Sequence, residues 1–245
     1  MTERPDETAT AAPAGRGSRL RAIAIVACAL VAGAAVGLAA LYGMEGAPRN
    51  ADNGAAVGKA ATADAVKGCA AAVATAQRLV PLAKGELAAF APTLEPKRLP
   101  EIAFQDGEGR PLTLTGVGPG LSLVNLWATW CAPCRKEMPA LDQLQAALGS
   151  DRFRVVAINV DTRDADKPRK FLNDIGVASL AYYADPKAAS FQTLRAAGRG
   201  FGLPTTLLVD AEGCEIGHIA GPAEWAGPDA QALIRAALEG RQAAR

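Results

Sequence analysis

Residues 128–139 read "ATWCAPCRKEMP", with Cys131 and Cys134 three positions apart. Before them runs "LSLVNLW", residues 121–127, a nearly continuous apolar stretch suited to a buried central strand. After them Leu141, Leu144, Ala147 and Leu148 recur on one face, which predicts a helix over 131–148. A strand–turn–helix junction puts Cys131 at a helix N-terminus, where unpaired N–H groups and the helix dipole favour thiolate over thiol. Cys134 then lies one turn on, within reach of that sulfur. A zinc clip needs two further ligands at similar spacing, and only the isolated Cys69, Cys214 and the single histidine, His218, are on offer. No metal site is expected. An inert disulfide across so short a loop adds little stability. The pair reads as a redox couple.

The flanking pattern alternates strands and helices. "FRVVAINV", 153–160, is a second buried strand. Asp166 is expected to cap a helix over 167–175, followed by a short strand at 180–184 and a short helix at 188–197. "TTLLVD" (205–210) and "EIGHIA" (215–220) form a hairpin around "AEGC", and Pro228 starts a last helix ending near Arg241. Upstream, Ile102/Phe104 and Leu112/Leu114 alternate on either side of "DGEG", a second hairpin signature within 99–114. This order implies an α/β fold with a mixed central sheet and helices on both faces.

The N-terminus bears on location. Residues 1–21 form a polar, disordered tail. The uncharged run "AIAIVACALVAGAAVGLAALYG", 22–43, has about the length of a bilayer core and is longer than the apolar part of a cleaved signal peptide. It reads as a transmembrane signal anchor. A lipoprotein box ending at Cys28 is the lesser alternative, because more apolar sequence follows it. Arg16, Arg19 and Arg21 precede the run, and only Arg49 and Lys59 follow at comparable distance, so the N-terminus is placed in the cytoplasm and the body outside. Residues 44–62 read as a flexible tether. Residues 63–98 read as a helical extension: one helix capped by Asp64 and running to about Val80, after which Pro81 either breaks it or starts a second short helix through about Ala91. The main domain spans 99–245. A net charge of +1 without a basic stripe gives no case for nucleic acid as a partner.

"LVNLWATWCAPCRKEMP" (123–139) together with "GLPTTLLVD" (202–210) resembles the thioredoxin superfamily. More closely it is similar to the membrane-anchored TlpA/ResA/CcmG group of thiol–disulfide oxidoreductases, with the TlpA branch nearest. The likeness covers about residues 95–240 plus the anchor. It implies a thioredoxin-like fold, needs no cofactor, and makes Cys131 the exposed nucleophile and Cys134 the resolving thiol. Trp130 and Pro133 would border the substrate site. Pro204 matches the family's cis-proline, the alternative being an ordinary trans proline at a strand start. The backbone of Leu203 would pair with a substrate strand. Glu137 matches an acid that assists proton transfer in the ResA-like members; otherwise it is a solvated helix Glu paired with a Lys or Arg. Thioredoxins proper carry a buried Asp where this chain has Asn125, so that proton route is absent.

The resemblance implies a reductant in the inner membrane, single-pass, with its C-terminal domain in the periplasm. Clients would be copper-centre assembly proteins of cytochrome oxidase, namely a copper chaperone and an oxidase subunit. Apocytochrome c is the alternative, and a membrane electron donor would re-reduce the protein. A copper-binding chaperone is a further alternative, since soft thiolates suit Cu(I), but such relatives carry C-x-x-x-C with a distant histidine. Cys69 and Cys214 remain. In an oxidising compartment two leftover thiols tend to pair, so a structural disulfide is expected; two separate buried thiols are the other reading.

Overall fold

The computed structural model describes residues 68–242. The expected tail (1–21), membrane span (22–43), tether (44–62) and Asp64 cap lie outside these residues. No helix among the described residues is long and apolar enough to cross a membrane. In chain order the elements begin with α1 (Ala70–Leu79), β1 (Ala91–Pro92), β2 (Ala103–Gln105), β3 (Pro111–Thr113) and β4 (Leu121–Trp127). There follow α2 (Ala132–Leu148), β5 (Phe153–Asn159), α3 (Asp166–Asp174), β6 (Tyr183–Ala184) and α4 (Ala189–Ala196). The chain closes with β7 (Thr205–Val209), β8 (Glu215–Ala220) and α5 (Pro228–Gln242).

The strands form one eight-stranded sheet in the order β1-β8-β7-β4-β5-β6-β2-β3. β4 is buried at every position, as a strand covered on both faces must be. It runs parallel to β5 and antiparallel to β7, so the sheet is mixed. Two helices carry matched buried stripes at i, i+3, i+4 and i+7: Ala72, Thr75, Ala76 and Leu79 on α1, and Ala230, Leu233, Ile234 and Ala237 on α5, apolar except for Thr75. They pack together, so the extension shares the domain's core.

The extension differs from its expected form. The second helix through Ala91 is replaced by two 3-10 turns, Val80–Leu82 and Gly85–Leu87. Pro81 has no N–H to continue α1, and Gly85 takes φ +56°, which ends regular helix. The chain then joins the sheet, with Ala91 opposite His218 and Pro92 opposite Gly217. Gly217 is required here: a Cβ on it would lie 2.3 Å from the Phe90 ring. Further bonds lace this segment to β8, from Thr93 N to Ile216 O (2.8 Å) and from Glu215 N to Lys97 O (2.9 Å). Cys69 and Cys214 are joined by a disulfide, with Cα atoms 5.5 Å apart.

Two other local expectations are corrected. Asp166 is the first residue of α3, not its cap; Asp164, at φ +54°, accepts from Lys167 N instead (3.3 Å). The strand expected over 180–184 shrinks to Tyr183–Ala184. The Asp142 carboxylate on α2 accepts from the N–H groups of Ala178, Ser179 and Leu180, which diverts the preceding backbone from a ladder.

Candidate active site

Strand β4 ends at Trp127, a buried core aromatic, and the chain turns through residues 128–131 into α2. Cys131 is the N-cap of α2, with Ala132 and Pro133 in its first turn. Pro133 fits there because the first N–H groups of a helix have no intrahelical acceptor. Cys131 and Cys134 are disulfide-bonded, and the Cys131 sulfur accepts from the Cys134 N–H at 3.3 Å. That donor and the helix terminus behind it favour negative charge on Cys131 once the bond is reduced. Cys131 is only 6% exposed in this oxidised form, against the sequence expectation of an open nucleophile, and Cys134 is fully buried. Access is confined to the Cys131 side, which sorts the two sulfurs by geometry.

Asp161, just beyond β5, fixes the turn. Its carboxylate accepts from Thr129 N (2.8 Å), Thr129 Oγ1 (3.1 Å) and Asn159 Nδ2 (2.7 Å). The sequence reading missed it, although the residue after a parallel strand, at its carboxyl end, is a recognised place for functional groups.

The Leu203–Pro204 peptide bond is cis. Thr205 pairs with Leu126, so Leu203 and Pro204 sit at the end of β7 that adjoins the Cys131 turn. Pro204 is buried, Leu203 half-buried and Pro133 exposed. Two aromatics stand free at this end of the sheet: Trp130, 68% exposed, and Phe201, 76% exposed.

Behind the cysteines lies a buried polar cluster. Glu137 is three residues beyond Cys134, on the adjacent turn of the same helix face, and is 4% exposed. The solvated-Glu alternative is thereby overturned. Asn125 Nδ2 donates to Glu137 Oε1 (2.7 Å) and to Thr206 Oγ1 (2.9 Å), and Ala223 N donates to Glu137 Oε2 (3.3 Å). Burial pushes the Glu137 carboxyl up to about 7, against the opposing pull of Asn125, the Ala223 N–H and the Trp225 indole. An open cleft of about 410 Å³ is lined by Ala132, Pro133, Lys136 and Glu137 of α2 and by Pro222 and Ala223. This is a dithiol/disulfide centre with an acid–base group poised near neutrality.

Residues 96–215 match the AhpC/TSA family. The chain is 31% identical over 125 residues to the thioredoxin-like protein YneN of Bacillus subtilis, covering 46% of this chain and 70% of that one. It is 31% identical over 127 residues to the thiol-disulfide oxidoreductase ResA of Bacillus thuringiensis, covering 51% and 69%. The chain belongs to the ResA-like thiol-disulfide oxidoreductases. A crystal structure described as thiol:disulfide interchange protein DsbE from Chlorobium tepidum is also similar, with 30% identity and a TM-score of 0.50. It is covered over 96% of its length, and covers 58% of this chain. Like others of the ResA-like kind, this protein is an enzyme that exchanges dithiol for disulfide through its C-x-x-C.

Proposed function

We propose that the protein is a membrane-tethered reductant of specific protein disulfides on the extracytoplasmic side. The observation that carries the exchange chemistry of this reading is the buried Glu137 carboxyl behind Cys134, with its ionisation near 7. In the reduced enzyme the Cys131 thiolate attacks one sulfur of a client disulfide, forming a mixed disulfide, and the client's other sulfur leaves as a thiolate and takes a proton. Cys134 must then lose its proton to attack the Cys131 sulfur; Glu137 accepts it. The second client sulfur leaves and is protonated in turn. The client gains two electrons and two protons, and Cys131–Cys134 becomes the disulfide seen here. A membrane electron donor restores the dithiol.

Trp130, Pro133, Leu203 and Pro204 border the accessible sulfur and form the client site, with the Leu203 backbone pairing to an extended client segment. The favoured clients are cysteines of cytochrome oxidase copper-centre assembly, in a copper chaperone and an oxidase subunit. Apocytochrome c cysteines are the second reading. The apolar run 22–43 supports the tether, which raises effective concentration near such clients. Cys69–Cys214 holds the extension in place and takes no part in turnover.

The test is Cys134→Ser in the full chain in its native membrane. It stalls the reaction at the mixed disulfide on Cys131, and recovered adducts name the client. Adducts with copper-assembly proteins uphold the first reading and with apocytochrome c the second. Absence of any Cys131 adduct, with Cys131 alkylated readily in the same membranes, overturns both.

A further inference from the structure

Glu215 opens β8 and is completely enclosed, yet the chemistry above makes no use of it. A buried carboxylate demands partners. Arg199 Nε lies 3.0 Å from both its oxygens, and Arg199 Nη2 lies 2.7 Å from Oε1. Thr93 Oγ1 donates to Oε1 at 2.5 Å, and His218 Nδ1 stands 3.3 Å from the same oxygen. Burial pushes Glu215 up, but His218, Arg199 and Thr93 outweigh it and hold the carboxyl at about 2, so it is ionised throughout the physiological range.

The cluster draws on three separate places. Thr93 belongs to the segment before β2, Glu215 and His218 to β8, and Arg199 to the loop that runs from α4 into Leu203–Pro204. A second tie joins the same two outer segments: Lys97 Nζ donates to Ala197 O (2.9 Å) at the end of α4. Between Arg199 and Leu203 stand only Gly200, Phe201 and Gly202. Gly198 and Gly200 have φ of +75° and +67°, and glycine-rich chain of this kind has little stiffness of its own. At the far side of the loop Thr205 Oγ1 bonds Gly202 O (2.7 Å). Phe201 projects between these two anchor points.

We propose that Glu215, supported by Thr93 and Lys97, is a positioning residue for client capture: by fixing Arg199 it holds the 199–203 loop in the shape that receives the client chain. The segment before β2 is then part of the recognition apparatus. The proposal rests on the reading of Leu203 and its loop as the client site. A loop left loose must be ordered when the client binds, and that entropy is lost from affinity while the sulfur chemistry is untouched.

The experiment compares Glu215→Gln, Arg199→Met, Arg199→Lys and Thr93→Val in the full chain. Reduced enzyme is assayed on insulin, a protein disulfide, and on hydroxyethyl disulfide, which is too small to use the loop. Hydrogen exchange is followed at the Arg199 amide, which bonds Leu194 O in the native chain (2.8 Å). Expected for Glu215→Gln and Arg199→Met are faster exchange at Arg199, KM for insulin raised about tenfold, and unchanged rates on hydroxyethyl disulfide. Thr93→Val gives a smaller effect of the same kind, and Arg199→Lys restores part of the KM. Unaltered exchange at Arg199, an insulin KM that stays unchanged in Glu215→Gln and Arg199→Met, or equal loss on both substrates overturns the proposal. Should Glu215→Gln not fold, Arg199→Met and Thr93→Val decide. Leu203→Asp separates the two readings. If it too leaves the insulin KM unchanged while exchange at Arg199 is fast in Glu215→Gln, the client site has been misassigned and the proposal falls with it.

Discussion

Asn125 Nδ2 lies 2.7 Å from Glu137 Oε1, tying the central strand β4 to the helix that carries the cysteines. Both side chains are buried, and the contact puts a neutral amide where thioredoxins proper hold a carboxyl. An amide cannot exchange a proton at neutral pH. It can, however, set the acidity of the group that does.

On the proposed mechanism, replacing Glu137 by Gln leaves Cys134 without its proton acceptor. Resolution of the mixed disulfide is expected to slow by about 100-fold at pH 7, the scale of general-base catalysis. In the native enzyme the resolution rate is expected to rise with pH through an inflection near 7, where Glu137 becomes anionic. Rapid-quench measurement of mixed-disulfide decay across pH checks this. An inflection that survives in Glu137→Gln assigns the proton to another group.

Asn125→Ala removes a donor that favours the Glu137 anion. The carboxyl is therefore expected to titrate still higher, and the inflection moves above 7. Infrared titration of the Glu137 carboxyl reads the shift directly. A downward movement contradicts the role assigned to the amide.

The same carboxyl links stability to pH. Its folded-state value is raised from 4.5 to about 7, so the fold binds its proton more tightly than the unfolded chain does. The associated stability is present below 4.5 and is lost as pH rises through 7; the displacement corresponds to roughly 3 kcal/mol. Relative to the native chain, Glu137→Gln should gain stability by about that amount between pH 4 and pH 8. Denaturant unfolding at both values measures it.

The Cys69–Cys214 bond closes a loop with a sequence separation of 145. Substituting both residues by alanine is expected to cost roughly 3–5 kcal/mol by loop-entropy reasoning, with no change in the rate on a small disulfide. Chemical denaturation of the double variant measures the first and an exchange assay the second.

Local pattern made much of this legible. The apolar run of β4, the helical spacing after Cys134 and the strand–turn–helix junction specify the setting of the C-x-x-C, because each depends on neighbours along the chain. What escaped depends on contacts between distant segments. Thr206 meets Asn125 across 81 positions, and Thr93 meets Glu215 across 122. No short-range period encodes those meetings. The strand expected over 180–184 was lost for a similar reason, since Asp142 on α2 takes up N–H groups 36 to 38 positions away. The burial of Glu215 is tolerable only because Arg199 and Thr93 arrive from distant segments to pair with it.

The two outermost strands of the sheet, β1 and β3, are two and three residues long, and each contains a proline, Pro92 and Pro111. Neither rim offers another polypeptide a run of free N–H and C=O groups. Short, proline-bearing rims give a foreign strand little to pair with, which guards the protein against being drawn into aggregates. With strand addition disfavoured at both rims, the client site proposed above leaves pairing with foreign chains to the Leu203 loop.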